Sequence, residues 1–186
     1  FNKQWKEDNE PRNTNQTHGT HVAGCASAST NNLKGIAGTG YNCRIMSIKC
    51  ASDKANVGGI WRGYDGIVYA ADNGAHVINC SWGGSGSSPV EQDVINYAVN
   101  KGSVVVVAAG NDGNNIDKRI AFPACYQNVL CVGATTQADT LADFSNRGRL
   151  VTVYSPGEQI LSTLPGNLYG KESGTSMASP IVAGIA

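Results

Sequence analysis

Ser103-Val104-Val105-Val106-Val107-Ala108-Ala109-Gly110-Asn111-Asp112-Gly113 runs without a polar side chain from Val104 to Ala109 and then breaks into a turn sequence. A half-exposed strand alternates apolar with polar, so an unbroken β-branched run suits a strand covered on both faces of a parallel sheet. Residues 44–49, 76–80 and 129–132 read the same way, and with 103–108 they predict four buried strands. Between the second and third of these, Val90, Val94, Ile95, Ala98 and Val99 form a helical stripe that ends at Lys101-Gly102. Ile60, Tyr64, Ile67, Val68 and Ala71 repeat the design before 76–80, with Asn73-Gly74 as the stop. Strands alternating with helices imply an α/β fold around a parallel sheet. In such sheets ligands bind beyond the carboxyl ends of strands, so chemistry is expected at Ser81-Trp82-Gly83-Gly84 and Gly110-Asn111-Asp112-Gly113.

The chain has 186 residues, 41% of them hydrophobic, enough for one domain with its own core. Fourteen basic residues balance fourteen acidic ones, so no net field directs it to nucleic acid or an anionic membrane. No apolar run approaches the roughly 20 residues that span a bilayer. Phe1 begins without a charged-then-apolar leader, and the C-terminal Pro180-Ile181-Val182-Ala183-Gly184-Ile185-Ala186 stops inside an apolar helical pattern, so a partial or processed chain is expected. There is no internal repeat, low-complexity tract or linker.

Six cysteines are too few to hold a miniprotein together but enough for one or two bridges in an oxidising compartment. If 44–49 is a strand, Cys43 and Cys50 lie about 23 Å apart at ~3.3 Å per residue and do not pair. Cys125 and Cys131 pair only if the chain turns at Gln127-Asn128; the alternative for all six is a free buried thiol. No Cys/His set has zinc spacing, and Gly35-Ile36-Ala37-Gly38-Thr39-Gly40 orders its glycines wrongly for a dinucleotide fingerprint.

Two motifs carry chemistry: His18-Gly19-Thr20-His21-Val22-Ala23-Gly24 near the start and Ser173-Gly174-Thr175-Ser176-Met177-Ala178-Ser179-Pro180 near the end. A serine hydroxyl attacks a peptide carbonyl only when a neighbouring imidazole takes its proton, so the two residue types are needed together. Ser176 stands where the apolar pattern from Met177 starts a helix. Its amide then has no intrahelical acceptor and faces developing negative charge, aided by the helix dipole, while Gly174 lets a substrate approach. Taken singly, each motif has an ordinary reading: a structural histidine before an apolar helix, and a Gly-Thr-Ser turn.

Together, in this order and with Ala108-Ala109-Gly110-Asn111 between them, they resemble the signatures of the subtilisin-like serine proteases (subtilases, peptidase family S8). Ser155-Pro156-Gly157, Ser162 to Asn167 and Tyr169-Gly170 also look like that family, so the likeness covers nearly the whole chain. The resemblance implies a three-layer α/β fold, with a central, mostly parallel sheet flanked by helices. It also implies a secreted endopeptidase working through an acyl-enzyme on Ser176, with His18 as general base and Asn111 as oxyanion donor; His21 is then structural and His76 has no role. Asn111 by itself reads as a turn residue, since Asn-Asp-Gly is a good turn sequence, and only the other motifs turn the reading to an oxyanion donor. For the groove, the resemblance assigns Ser81, Trp82, Gly83 and Gly84 to peptide pairing and one wall of the P1 pocket. Ala108, Ala109 and Gly110 form the other wall, and Ala121 the base, followed by a cis Phe122-Pro123 bond. Such a pocket suits a fairly large apolar side chain, with Asp112 at the rim able to admit a basic one.

The implied partners are an extended polypeptide substrate and a propeptide inhibitor in the full-length protein, with no nucleic acid or membrane and a monomeric state. No cofactor is implied for catalysis. A structural calcium ion is implied near Asn32 in the loop 30–36, where an Asn-rich turn is the alternative. The family's triad aspartate stands roughly thirty residues before the histidine, and only seventeen precede His18. Asp8 is too close and lies in the polar run Lys6-Glu7-Asp8-Asn9-Glu10. Residues 1–186 are therefore expected to be a partial S8 catalytic domain, lacking the N-terminal segment with that aspartate and the C-terminal end, and inactive alone. Two rivals remain: a pseudoprotease that binds peptides without cutting them, and an esterase or transpeptidase using the same acyl-enzyme.

Overall fold

The computed structural model describes residues 16–51 and 59–186; Asp8 lies outside the described residues. In chain order the elements are α1 (His18–Ser27), α2 (Gly63–Asp72), β1 (Val77–Cys80), α3 (Pro89–Asn100), β2 (Val104–Ala108), β3 (Val129–Thr135), β4 (Val153–Pro156), β5 (Ile160–Leu164), β6 (Leu168–Glu172) and α4 (Thr175–Ile185). Strands β1-β2-β3-β4 form a parallel sheet in that order, and β5-β6 form an antiparallel hairpin. The register is set by Val77 opposite Val104, Val105 opposite Val129 and Val132 opposite Val153.

Alternation along β2 divides the core in two, because successive side chains point to opposite faces. Val105 and Val107 join Ile67, Ala70, Ile95 and Ala98 from α2 and α3. Val106 joins Val132, Ala134 and Ala178 on the face covered by α4. Helix α1 packs outside this layer, against α4 and β5. The result is the expected three-layer arrangement of helices on both faces of a parallel sheet. Helix α3 begins where Ser88 Oγ accepts the Val90 amide at 3.3 Å with Pro89 in the first turn, a start that satisfies one orphan donor and wastes none on the proline.

One expected strand is missing. Residues 44–49 have no ladder partner among the described residues, and only Ile48 reaches the core. β-branched composition makes a segment suited to a sheet, but pairing makes it a strand. Three strands were not anticipated. Of these, β5 and β6 are joined by Pro165-Gly166-Asn167, with φ of 78° at Gly166 and 60° at Asn167, a turn signal flanked by alternating residues.

All six cysteines are free. The chain does turn at Asn128, where φ is 65°, yet Cys125 and Cys131 stay unpaired. Cys131 is buried on β3, whereas the Cys125 sulfur accepts the Ala121 amide at 3.4 Å.

Ile95 is completely buried between α3 and the sheet, and Val90 on the same helix is 68% exposed. Ile95→Ala should cost about 2–5 kcal/mol and Val90→Ala less than about 0.5 kcal/mol. Both are read from denaturant midpoints at unchanged m-value.

Candidate active site

At the carboxyl ends of β1 and β2 the sheet opens into a cavity of about 600 Å³ lined by Trp82, Gly83, Gly84, Ala108, Ala109, Gly110, Asn111, Ala121 and Ser176. Nine of the expected site residues therefore share one depression. Gly84 and Phe122 exchange both backbone hydrogen bonds at 2.8 Å, which fastens one wall to the base. Gly83 is required there, because a Cβ would come within 2.9 Å of the Phe122 carbonyl oxygen. Behind the wall Tyr64 meets the Trp82 ring edge-on at 5.2 Å, and Phe122 leans on Tyr126 at 4.4 Å. The Phe122-Pro123 bond is cis. Asp112 lines the cavity as expected, but so does Arg119, a cation that the sequence reading passed over.

Ser176 is the second residue of α4, so its amide is one of the first-turn donors without an intrahelical acceptor. Its carbonyl has a converse problem. Four residues on stands Pro180, which has no N–H to give. Ser81, expected in the groove, instead supplies the missing donor from behind, its Oγ donating to Ser176 O at 2.8 Å. With its one proton so committed, Ser81 Oγ accepts from Asn79 Nδ2 and from Ser179 Oγ, each at 2.9 Å. Ser176 Oγ donates to Ser81 O at 3.3 Å. The hydroxyl is thus held loosely at the mouth of the cavity while the backbone beneath it is held firmly.

Asn111 has its two amide atoms in different circumstances. Oδ1 accepts both the amide and the hydroxyl of Thr175, each at 2.8 Å. Nδ2 has no hydrogen-bond partner among the described residues and faces Gly174, where a Cβ would stand 3.2 Å away. This fixes the flip of the side chain and leaves an NH₂ group aimed past a glycine. Thr175 Oγ1 also accepts the Gly110 amide at 3.0 Å. Thr175 and the buried Asn146, which binds the same loop, are structural partners that the motifs did not announce.

His18 opens α1 and does not line the cavity. Among the described residues no hydrogen bond joins it to Ser176. Helix α1 does pack against α4, the helix that carries Ser176. Gly184 packs against Ala26 and the Gly40 amide, closely enough that a Cβ would lie 2.5 Å from Ala26 O. Partial burial of the His18 ring, although the residue is exposed overall, holds its pKa below the ordinary imidazole value; the Glu172 carboxylate opposes that shift and His21 adds to it. His21 is fully buried and faces two carbonyls through Nε2, Ile160 O at 2.9 Å and Gly170 O at 3.2 Å. Nε2 therefore carries the proton, Nδ1 accepts from Cys25 Sγ at 3.7 Å, and the ring ties α1 to the β5-β6 hairpin. His76 is exposed just before β1.

In the loop 30–36, Asn32 Oδ1 accepts the Lys34 amide at 3.0 Å, the contact of an Asn-rich turn. Calcium takes six to eight oxygens. No group of three or more His, Cys, Asp or Glu side chains able to hold a metal occurs among the described residues. No helix among them is long and apolar enough to cross a membrane.

The profile of the Subtilase family matches residues 1–186. The chain is 51% identical over 179 residues to the thermophilic serine proteinase of Bacillus sp. (strain AK1), covering 96% of this chain and 43% of that protein. It is 47% identical to thermitase of Thermoactinomyces vulgaris over 180 residues, 96% of this chain and 62% of the relative. The major intracellular serine protease of Bacillus subtilis (strain 168) is 38% identical over 169 residues, 90% of this chain and 53% of the relative. The extracellular protease of Xanthomonas campestris is 42% identical over 197 residues, 94% of this chain and 33% of the relative. Among solved structures, a protease of Pseudoalteromonas arctica superimposes with a TM-score of 0.82 at 36% identity, covering 90% of this chain and 56% of that one. This chain spans about half the length of the curated relatives it matches. With the three-layer parallel fold, the family profile and these identities in agreement, the chain belongs to the subtilase family.

Proposed function

We propose that this chain is part of a serine endopeptidase that cuts extended polypeptides through an acyl-enzyme on Ser176. The observation that carries the reading is the convergence of two unspent donors, the first-turn amide of Ser176 and Asn111 Nδ2, beside the Ser176 hydroxyl at one cavity. His18 takes the Oγ proton as Oγ attacks the carbonyl carbon. The carbonyl oxygen becomes an oxyanion between the two donors, and the imidazolium returns the proton to the departing amine. Water then repeats the sequence on the acyl-enzyme and frees Ser176. The peptide lies along Ser81 to Gly84, with its P1 side chain between that wall and Ala108 to Gly110 and its end toward Ala121.

The carboxylate that orients His18 belongs, in this reading, to chain preceding Phe1, and the 186 residues are a partial catalytic domain. Secretion is part of the proposal and rests on one relative named as extracellular; another is named as intracellular. With every thiol free, the cysteines give it no further support. A second reading, a peptide-binding pseudoprotease, draws on the missing His18–Ser176 hydrogen bond, although such bonds are often long before substrate arrives.

A fluorophosphonate probe applied to the natural-length protein should label Ser176, with the adduct mapped by mass spectrometry, and Ser176→Ala should abolish labelling. A folded protein that takes no label sinks the protease in favour of the pseudoprotease. Peptide products separate it from an esterase or transpeptidase.

The acid limb of kcat/KM reports His18. Because the Glu172 carboxylate favours the imidazolium, Glu172→Gln should move that midpoint to lower pH relative to the parent protein. A shift to higher pH would contradict the assignment. Burial acts in the same sense on stability: the unfolded chain binds the proton more readily than the folded ring, so this group lowers stability as pH falls below about 6.5 toward the folded value.

A further inference from the structure

We infer that Asn146 is a positioning residue for the Asn111 amide, an inference that rests on the oxyanion role proposed for Asn111. Asn146 is 1% exposed and does not touch Asn111 through any hydrogen bond; it holds the backbone on both sides of it. Its own amide donates to Gly110 O at 2.9 Å, and its Nδ2 donates to Ala109 O at 2.8 Å. Its Oδ1 accepts the amides of Asp112 at 3.2 Å and Asn114 at 2.9 Å. One buried residue thus clamps two residues before Asn111 and two after it, the side chain holding Ala109, Asp112 and Asn114 and the backbone amide holding Gly110.

The clamp is specific to an amide. It needs an oxygen that accepts twice and, on the same carbon, a nitrogen that donates, which neither Asp nor Ser offers. An aspartate would set a second oxygen against Ala109 O. Gly110 completes the fit: its φ is 100°, and a Cβ there would lie 2.4 Å from Asn146 Nδ2. Asn146 is in turn fixed to the sheet, since Ser145 Oγ donates to Asn146 O at 2.9 Å and accepts the Ala134 amide of β3 at 2.9 Å. Position therefore passes from β3 through Ser145 and Asn146 to the loop that aims Asn111 Nδ2, while Thr175 sets the rotation of the side chain itself. A donor placed for a developing charge loses its effect when displaced by a fraction of an ångström.

The test is a double-mutant cycle in the natural-length protein, with kcat and KM for a peptide substrate, affinity for a peptide boronate and the thermal midpoint measured together. Asn111→Ala should lower kcat by about 10²–10³; that size is the one known for the equivalent donor in subtilisin and is taken over, not calculated. Asn146→Ala should lower kcat by roughly tenfold or more with little change in KM, and weaken boronate binding. In the Asn111→Ala background the same change should cost less than about twofold, because residues acting as a unit are not additive. Asn146→Asp, nearly equal in volume, carries the cycle if Asn146→Ala does not fold. Equal losses of kcat in both backgrounds, or none in either, overturn the positioning role and leave Asn111 as the donor. If Asn111→Ala itself retains kcat, the oxyanion reading fails and this inference fails with it.

Discussion

Strand β2 has apolar partners on both of its faces, and this constraint organises everything around it. Val105 and Val107 are sealed under α2 and α3, and Val106 is sealed under α4. Such a strand has no polar face on which to place a reactive group. After Val104, exposed at its amino end, the next position at which its chain can meet solvent is past its carboxyl end, in the Gly110 to Gly113 turn. Strand β1 delivers Ser81 to Gly84 to the neighbouring position. Because the strands are parallel and adjacent, both loops leave the sheet at one edge, and α4, packed across the sheet, presents its first turn there.

Gathering polar groups at such an edge raises an accounting problem, since each buried donor or acceptor left unpaired costs about 1–3 kcal/mol. The site meets most of it with specific partners, although Asn79 Oδ1, behind Ser81, is buried without one. Pro180 removes the donor that Ser176 O would have used, and Ser81 Oγ replaces it. Thr175 consumes the acceptor of Asn111 and leaves the donor. Asn146 consumes the loop's backbone groups. Among the described residues the Ser176 amide and Asn111 Nδ2 are left at the cavity without a hydrogen-bond partner. His21 shows the complementary case, a histidine in the same motif as His18 that is spent wholly on holding the β5-β6 hairpin to α1.

Sequence alone determined the alternation of buried strands and helices, the helix ends at Asn73-Gly74 and Lys101-Gly102, and the two loops where chemistry is expected, because these depend on local composition and turn chemistry; the other residues that meet at the cavity were implied by the resemblance of the motifs to a known family. It misjudged residues 44–49, since apolar β-branched content gives no knowledge of a pairing partner, and it overlooked the hairpin at Pro165-Gly166-Asn167, where the turn signal was present. Only the tertiary structure decided how Asn111 is oriented, that Ser81 serves the carbonyl of Ser176, and that Asn146 clamps the loop. Those facts join residues 32 to 95 positions apart in the chain, such as Asn146 with Asn114 and Ser81 with Ser176. Hydrogen bonds act over about 3 Å in space, and no spacing along the sequence records which distant groups the packed sheet brings within that reach.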